Sequence, residues 1–170
     1  RSACLPAAVW LPPVLGAAPR GGQVHRHSGR RRHMEQRFRE LAQAMPQIVF
    51  IANDAGVVEY VNERWCEVTG LPVETAVGAR WDELAHPDDA HAVSGTLSDG
   101  IATGEPLQLE LRLRHLGDTY RWQLVRAVPN RDAQGKVASW FGTSTDVHDL
   151  KLAQERVRQQ AEGNGRVNAA

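Results

Sequence analysis

The residue type best suited to covalent or redox chemistry is the cysteine at position 66, in the stretch NERWCEVTG that spans residues 62–70. A cysteine becomes a nucleophile or a redox centre when a neighbouring positive charge lowers the pKa of its thiol. No such basic partner is evident from the sequence around Cys66. Asn62 is a preferred helix N-cap and Gly70 a preferred residue just past a helix end, so the stretch predicts about two turns of helix. We therefore interpret Cys66 as a small packing residue beside Trp65, whose large ring we expect to be buried.

Other motifs of catalysis and metal binding are missing from the sequence. The seven histidines are scattered, and no C-x-x-C or H-E-x-x-H spacing brings zinc ligands together. No G-x-S-x-G or G-x-G-x-x-G run would supply a nucleophile elbow or a phosphate-binding loop. These patterns argue against a hydrolase or an oxidoreductase.

The charges are distributed unevenly along the chain. Six of the 20 basic residues lie within residues 1–33, which hold no acidic residue, so the remainder carries 14 basic against 20 acidic side chains. A folded part with no basic face argues against nucleic acid as a partner.

Residues 1–33 are rich in proline and show no helical or strand period. We interpret them as a disordered leader, or as sequence upstream of a true start at Met34. A signal peptide is the alternative, but prolines interrupt its apolar run. That run, residues 5–18, is too short to cross a bilayer, so no membrane span is expected. Two cysteines form no disulfide framework, which favours a reducing, cytoplasmic location.

The elements that must position any site begin at Met34. Apolar residues at helical spacing predict an amphipathic helix that Pro46 ends; they are Phe38, Leu41, Ala42 and Met45. Residues 48–52 and 57–62 predict a β-hairpin around the NDAG turn. Short helices follow, and a longer helix is expected from Pro87 to about Ala102.

The last third of the chain changes to a period of two. Leucines alternate with polar residues over 107–114, which is typical of a half-buried antiparallel strand. Two further strands complete a meander, with Tyr120, Trp122 and Leu124 on one side of the first. A final helix carries Leu150, Ala153 and Val157 at coiled-coil spacing and is expected to end at residues 163–165, the sequence GNG.

The signatures MPQIVFIANDAGVVEYVNERWCEVTG, HPDD and YRWQLVRAVPNRDAQGKV occur in this order. Together they resemble a bacterial PAS domain with its PAC motif, over residues 36–148. The expected fold is α+β: a five-stranded antiparallel sheet with short helices on one face, flanked by an N-terminal amphipathic helix and a C-terminal exit helix. The expected organisation is a sensory domain over 34–148, a signalling or coiled-coil helix over 149–162 and a flexible tail over 163–170.

The resemblance also implies a signalling junction. In the family, an Asp-Ile-Thr-like triplet joins the last strand to the exit helix. Here the triplet reads Asp146-Val147-His148. The aspartate, which in the family anchors the exit helix, is present as Asp146. The position of the threonine holds His148, so the hydrogen bond that the threonine makes in the family is in doubt. We expect Asp146, Leu150 and Val157 to form the junction.

The identity of any ligand stays open. A light-sensing flavin adduct needs a cysteine in the helical segment, and 78–90 has none. A haem would need an axial histidine, for which His91 is the candidate, although a histidine beside two aspartates is more often solvated. The candidate pocket residues between sheet and helices are Trp65, His91, Trp122, Arg126 and Trp140. Gln123, Ser139 and Thr143 are further polar residues, and alternation alone does not say which face of the sheet they occupy. No cofactor is predicted.

Two functions compete. The first is a non-catalytic sensory and dimerisation module of bacterial signal transduction, which pairs through its terminal helices, serves an effector protein and takes up a small molecule. The alternative is the truncated sensor region of a larger protein, either a histidine kinase of a two-component system or a diguanylate cyclase. The sequence contains no phospho-acceptor helix, nucleotide lid or GGDEF-like run, so we expect no catalytic domain within this chain.

Overall fold

The computed structural model describes residues 24–167. Its main elements follow in the order α1 (Val24–Ala44), β1 (Ile48–Asn53), β2 (Val58–Val61), α2 (Arg64–Thr69), α3 (Trp81–Leu84), α4 (Pro87–Thr103), β3 (Leu107–His115), β4 (Thr119–Arg131), β5 (Val137–Asp146) and α5 (His148–Val167). Short 3-10 turns occupy Val73–Thr75 and Leu116–Asp118.

The five strands form one sheet in the order β2-β1-β5-β4-β3, and every neighbouring pair is antiparallel. The first hairpin and the last three-stranded meander meet where β1 pairs with β5, so Ile48 lies opposite Ser144. The predicted α+β architecture with a five-stranded antiparallel sheet is confirmed.

One face of the sheet, here called the inner face, packs against α2, α3 and α4. Leu109, Leu111 and Leu113 point into it and are buried, as their alternation predicts. Trp65 and Trp81 close the same core from the helical side, and each is almost fully buried. Burial of such large rings contributes most of the local hydrophobic stabilisation.

The opposite, outer face is covered in part by α1. Phe38 packs its ring against Tyr60, with the ring centres 5.8 Å apart, and against Phe141 at 5.9 Å. Ala42 and Val49 complete this smaller cluster. The outer side of β4 extends beyond it, and Val128 there is 51% exposed.

The terminal helices differ from the sequence expectation in extent. α1 begins at Val24, ten residues before Met34, because no proline lies between Pro19 and Pro46 and arginine favours helix. α5 continues to Val167, through the GNG sequence that was expected to end it. Residues 1–23 of the expected leader and residues 168–170 of the expected tail lie outside the described residues.

The buried stripe of α1 is narrower than predicted. Phe38 and Ala42 contact the sheet, whereas Leu41 is 66% exposed and Met45 41% exposed. The prediction that all four share one buried face is wrong, since the flat outer side of β1 and β2 reaches only part of the helix circumference.

Asn62 also differs from its predicted role. α2 has Glu63 at its N-cap position, and the Asn62 side chain bonds instead to β1 and to the end of α1. Gly70 does end α2, with a φ of 71° that glycine adopts without strain. The helix is therefore confirmed, and its predicted cap is corrected.

Candidate ligand cavity and exit-helix junction

A cavity lies between the inner face of the sheet and α4. Its walls are entirely apolar or aromatic, contributed by Phe50, Ala52, Gly56, Trp81, Leu97, Ile101, Leu107, Val125, Ala127 and Trp140. The free room is about 20 Å³, which holds a single water molecule. A larger guest would have to displace side chains, and Ile101 and Leu107 are the lining residues that are only partly buried.

Two of the aromatic rings that line the cavity are indoles. Trp81 and Trp140 both line it, and neither indole N–H has a hydrogen-bond partner among the described residues. The Trp81 ring is fixed by Phe50, whose ring centre is 4.9 Å away. A buried donor without a partner is energetically costly, so both groups favour an acceptor atom placed beside them.

The structure separates the five pocket residues named from the sequence. Trp140 lines the cavity. Trp65 is buried elsewhere in the inner core, where its indole N–H donates to Pro72 O and Thr75 Oγ1 at 3.2 Å each. His91 is exposed on α4.

The remaining two candidates lie on the outer face. Trp122 and Arg126 belong to the side of β4 that turns away from the cavity, because Gln123, Val125 and Ala127 take the inner side. Arg126 is exposed and donates to Gln108 Oε1 at 3.0 Å. These two residues therefore cannot contact a molecule in the cavity.

Sequence reasoning missed most of the cavity wall. Trp81, Leu97, Val125 and Ala127 carry ordinary core residue types, and nothing in their spacing marks them as lining a space. Gln123 was left undecided; it is buried on the inner face, where its Oε1 accepts from Ser144 Oγ at 3.1 Å. The alternation of β4 together with one fixed inner residue would have assigned it.

The cavity lacks the side chains that a haem iron or a flavin adduct would need. Its walls contain no histidine that could ligate haem iron and no cysteine that could form a flavin adduct. Across the described residues, no group of three or more His, Cys, Asp or Glu side chains is placed to hold a metal ion.

Cys66 packs half-buried against the inner core. It belongs to the same packed core as Trp65.

The exit-helix junction is organised by Asp146. Its carboxylate accepts from Arg121 Nε at 2.7 Å and from the backbone N–H of His148 at 3.0 Å. Burial acts to raise the pKa of Asp146, but the Arg121 and His148 hydrogen bonds outweigh it and hold the pKa below its usual range. Asp149 adds a second carboxylate, 3.2 Å from Arg121. The aspartate thus ties the first turn of α5 to β4.

Trp122 forms the other half of the junction. Its carbonyl accepts from Val147 N at 2.9 Å, and its own N–H donates to His148 Nδ1 at 3.3 Å. Lys151 places its ammonium 4.0 Å from the centre of the indole ring, a cation–π contact. His148 stands where the family has a threonine, and its side chain does make a hydrogen bond there, to the Trp122 N–H.

After this first turn, α5 leaves the domain. Leu150 within the turn is already 58% exposed, and Val157 is 65% exposed, although both are apolar. From Leu152 to Glu162 every residue of α5 is exposed. The helix projects an unburied apolar stripe rather than packing on the sheet.

The family follows from comparison with known proteins. The model of the family described as PAS fold matches residues 42–152. The chain belongs to the PAS fold family. This PAS domain is 33% identical over 137 residues to the peroxide stress-activated histidine kinase mak1 of Schizosaccharomyces pombe, covering 74% of this chain and 8% of that protein.

Solved structures agree with the fold. The sensory box histidine kinase/response regulator of Burkholderia thailandensis superposes with a TM-score of 0.60 at 21% identity, covering 76% of this chain and 98% of that one. The N-terminal domain of a diguanylate cyclase with PAS/PAC sensor from Marinobacter aquaeolei gives 0.57 at 20% identity, covering 62% and 98%. The chain spans only 5–15% of the length of its first curated relatives. Within the described residues, no helix is long and apolar enough to cross a membrane.

Proposed function

We propose that this PAS domain is a non-catalytic sensory and dimerisation module that passes the state of a ligand or partner to an effector through its exit helix. The observation that carries the proposal is the exposed apolar stripe of α5. Leu150 and Val157 are seven residues apart with Ala153 between them, the spacing of a coiled-coil seam. A second copy of α5, packed parallel to the first, would bury this stripe. The helix pair would then pass a structural change at the junction to an effector.

Sedimentation of the full chain tests the pairing. Leu150→Glu and Val157→Glu place a charge in the proposed seam, so each is expected to weaken a dimer at least tenfold, because burial of an unpaired charge is costly. Leu116→Glu and Val77→Glu are matched controls, since those residues are 53% and 41% exposed away from α5. A wild-type chain that sediments as a monomer at every concentration would disprove pairing, as would equal effects of seam and control variants.

The cavity is the place where we propose that a small molecule acts. The apolar walls suit a compact apolar molecule. Native mass spectrometry of the purified chain would show a retained molecule directly. Ala127→Val fills the free room from the inner face of β4, so it is expected to abolish retention while the protein stays folded. Retention unchanged in Ala127→Val would place the molecule elsewhere.

The second candidate is the sensor region of a larger histidine kinase or diguanylate cyclase. Its support is the mak1 relative and the two solved structures, whose names carry those activities. Both activities use cytoplasmic nucleotides, so this candidate includes a cytoplasmic location. Reading the complete gene around this segment decides it: a catalytic domain in the same frame supports this candidate, and a separate effector gene supports the module.

A further inference from the structure

His148 occupies an unusual position in the hydrogen-bond ladder between β4 and the end of β5. Val147 N donates to Trp122 O as the next residue of a strand would. The following acceptor should be a backbone carbonyl, but here it is His148 Nδ1, 3.3 Å from Trp122 N. The side chain of the first residue of α5 therefore replaces a peptide group in the ladder.

This hydrogen bond fixes the protonation of the ring. A nitrogen that accepts from an N–H cannot carry a proton itself, so the neutral ring has its proton on Nε2. When Nδ1 takes a proton from solvent, both ring nitrogens become donors and Nδ1 faces the Trp122 N–H donor to donor. The hydrogen bond is then lost, whichever way the ring turns.

The charged groups around the ring offer the protonated form other partners. Asp146 and Asp149 flank it on its own side, and Arg121 from β4 bridges those two carboxylates. Lys151, one turn along α5, pairs with Glu110 of β3. An imidazolium would be attracted by Asp146 and Asp149 and would compete with Arg121 for both.

We propose that His148 is a pH-sensitive latch on the exit helix: the neutral ring holds the first turn of α5 against Trp122, and protonation releases it. Histidine is the side chain whose ordinary charge change falls between about pH 5 and 8. The latch rests on the proposed relay through α5 and supplies its regulation. The latch lies in the turn that attaches α5 to the sheet, and residues 152–162 of the helix are exposed and add no buried contact.

Amide hydrogen exchange of the full chain, resolved by NMR at Trp122, tests the latch. Between about pH 8 and about pH 5, exchange of the Trp122 N–H relative to its intrinsic rate is expected to rise roughly three- to tenfold, the population change that one net hydrogen bond represents. In His148→Thr the hydroxyl still accepts but does not titrate, so the relative rate is expected to stay constant. If His148→Thr folds poorly, His148→Asn serves the same purpose, because its amide oxygen accepts and does not titrate. Its relative exchange rate is likewise expected to stay constant.

His91→Gln is the matched control, because it removes an exposed histidine that lies on α4 instead of α5. It should retain the pH dependence of the wild type. A constant relative rate in the wild type would overturn the latch, as would the same rise in His148→Thr and His148→Asn. Sedimentation at both pH values separates the two proposals. If the chain is a monomer and the exchange of the Trp122 N–H still rises at the lower pH, the dimer is disproved and the latch is supported.

Discussion

At the scale of single residues, the side chain of Asn62 makes three hydrogen bonds to the backbone. It is fully buried. Its Oδ1 accepts from Val49 N at 3.0 Å, while its Nδ2 donates to Ala42 O at 2.7 Å and to Gln47 O at 3.1 Å. The side chain thus joins the end of α1, the loop after it and the first strand.

We expect Asn62→Ala to lower the free energy of unfolding by about 2–4 kcal/mol, because it removes the side-chain partner of the buried Val49 N–H and one hydrogen bond from each of the Ala42 and Gln47 carbonyls. Urea denaturation measures the change. Asn130→Ala is the matched control: Asn130 is exposed and makes one 3.3 Å hydrogen bond, so its loss is expected to stay within about 0.5 kcal/mol. Equal losses in both variants would show that Asn62 contributes no more than a surface residue.

At the scale of elements, α1 is held to the sheet by a small aromatic contact. Phe38 is half-buried between Tyr60 and Phe141, whereas Leu41 on the same helix points to solvent. Tyr60 lies beneath the helix, and burial is the main reason that its pKa is raised.

Phe38→Ala is expected to cost about 2 kcal/mol of unfolding free energy, less than the loss of a fully buried phenylalanine. Leu41→Ala should change it by no more than about 0.5 kcal/mol, because the leucine is already exposed. The comparison is made by urea denaturation of both variants. A larger loss from Leu41→Ala would mean that the exposed side of α1 is covered in solution.

The start of α4 is fastened to the edge strand β3 by an ion pair. Asp89 accepts from Arg112 N and Arg112 Nε at 2.9 Å and from Arg112 Nη2 at 2.7 Å. The side-chain hydrogen bonds from Arg112 are the main reason that the pKa of Asp89 lies below its ordinary value of 3.8. The carboxylate therefore stabilises the fold above that value, and the stabilisation is lost as the pH falls through the lower folded pKa.

We expect Asp89→Asn to lower the melting temperature by about 4–8 °C at neutral pH, the effect of one net hydrogen bond in a domain of this size. The difference from the wild type should shrink below about pH 4 as the wild-type carboxylate becomes protonated. Thermal melts over a pH series measure it. Asp99→Asn on the exposed side of the same helix is the control, and a pH-independent difference for Asp89→Asn would contradict the ion pair.

At the scale of the whole molecule, the two faces of the sheet are unequal. The inner face is closed by three helices and leaves room for about one water molecule. On the outer face, α1 covers one part and the first turn of α5 contacts Trp122, whereas Val128 stays exposed. The exit helix leaves the domain after its first turn. This arrangement suits a domain that changes contacts at its ends more than a domain that performs chemistry in its core.

This chain is expected to show no autophosphorylation with ATP, because its sequence holds neither a phospho-acceptor helix nor a nucleotide lid. Incubation with radiolabelled ATP beside an active histidine kinase measures this. Label that appears on the wild-type chain, and is lost when one histidine is replaced, would refute the non-catalytic reading.

Sequence alone predicted most elements because their patterns are local. The alternating leucines of β3 require one buried face, and Pro87 with two aspartates marks the start of α4. The same reasoning placed Asp146 before α5, where it binds the His148 N–H. These features depend on neighbours within a few residues.

Tertiary structure decided which side of each element is used. Period two places Trp122 and Arg126 on one side of β4, but only the packing of α4 shows that the cavity is on the other side. Asn62 has the residue type of a helix cap, and the nearness of Ala42 and Val49 makes it a buried link instead. The sequence marks His148 only as the third residue of the junction triplet. Its hydrogen bond to Trp122, 26 residues earlier in the chain, arises because β4 and β5 are paired. Such contacts depend on chain segments brought together by folding, which local patterns do not encode.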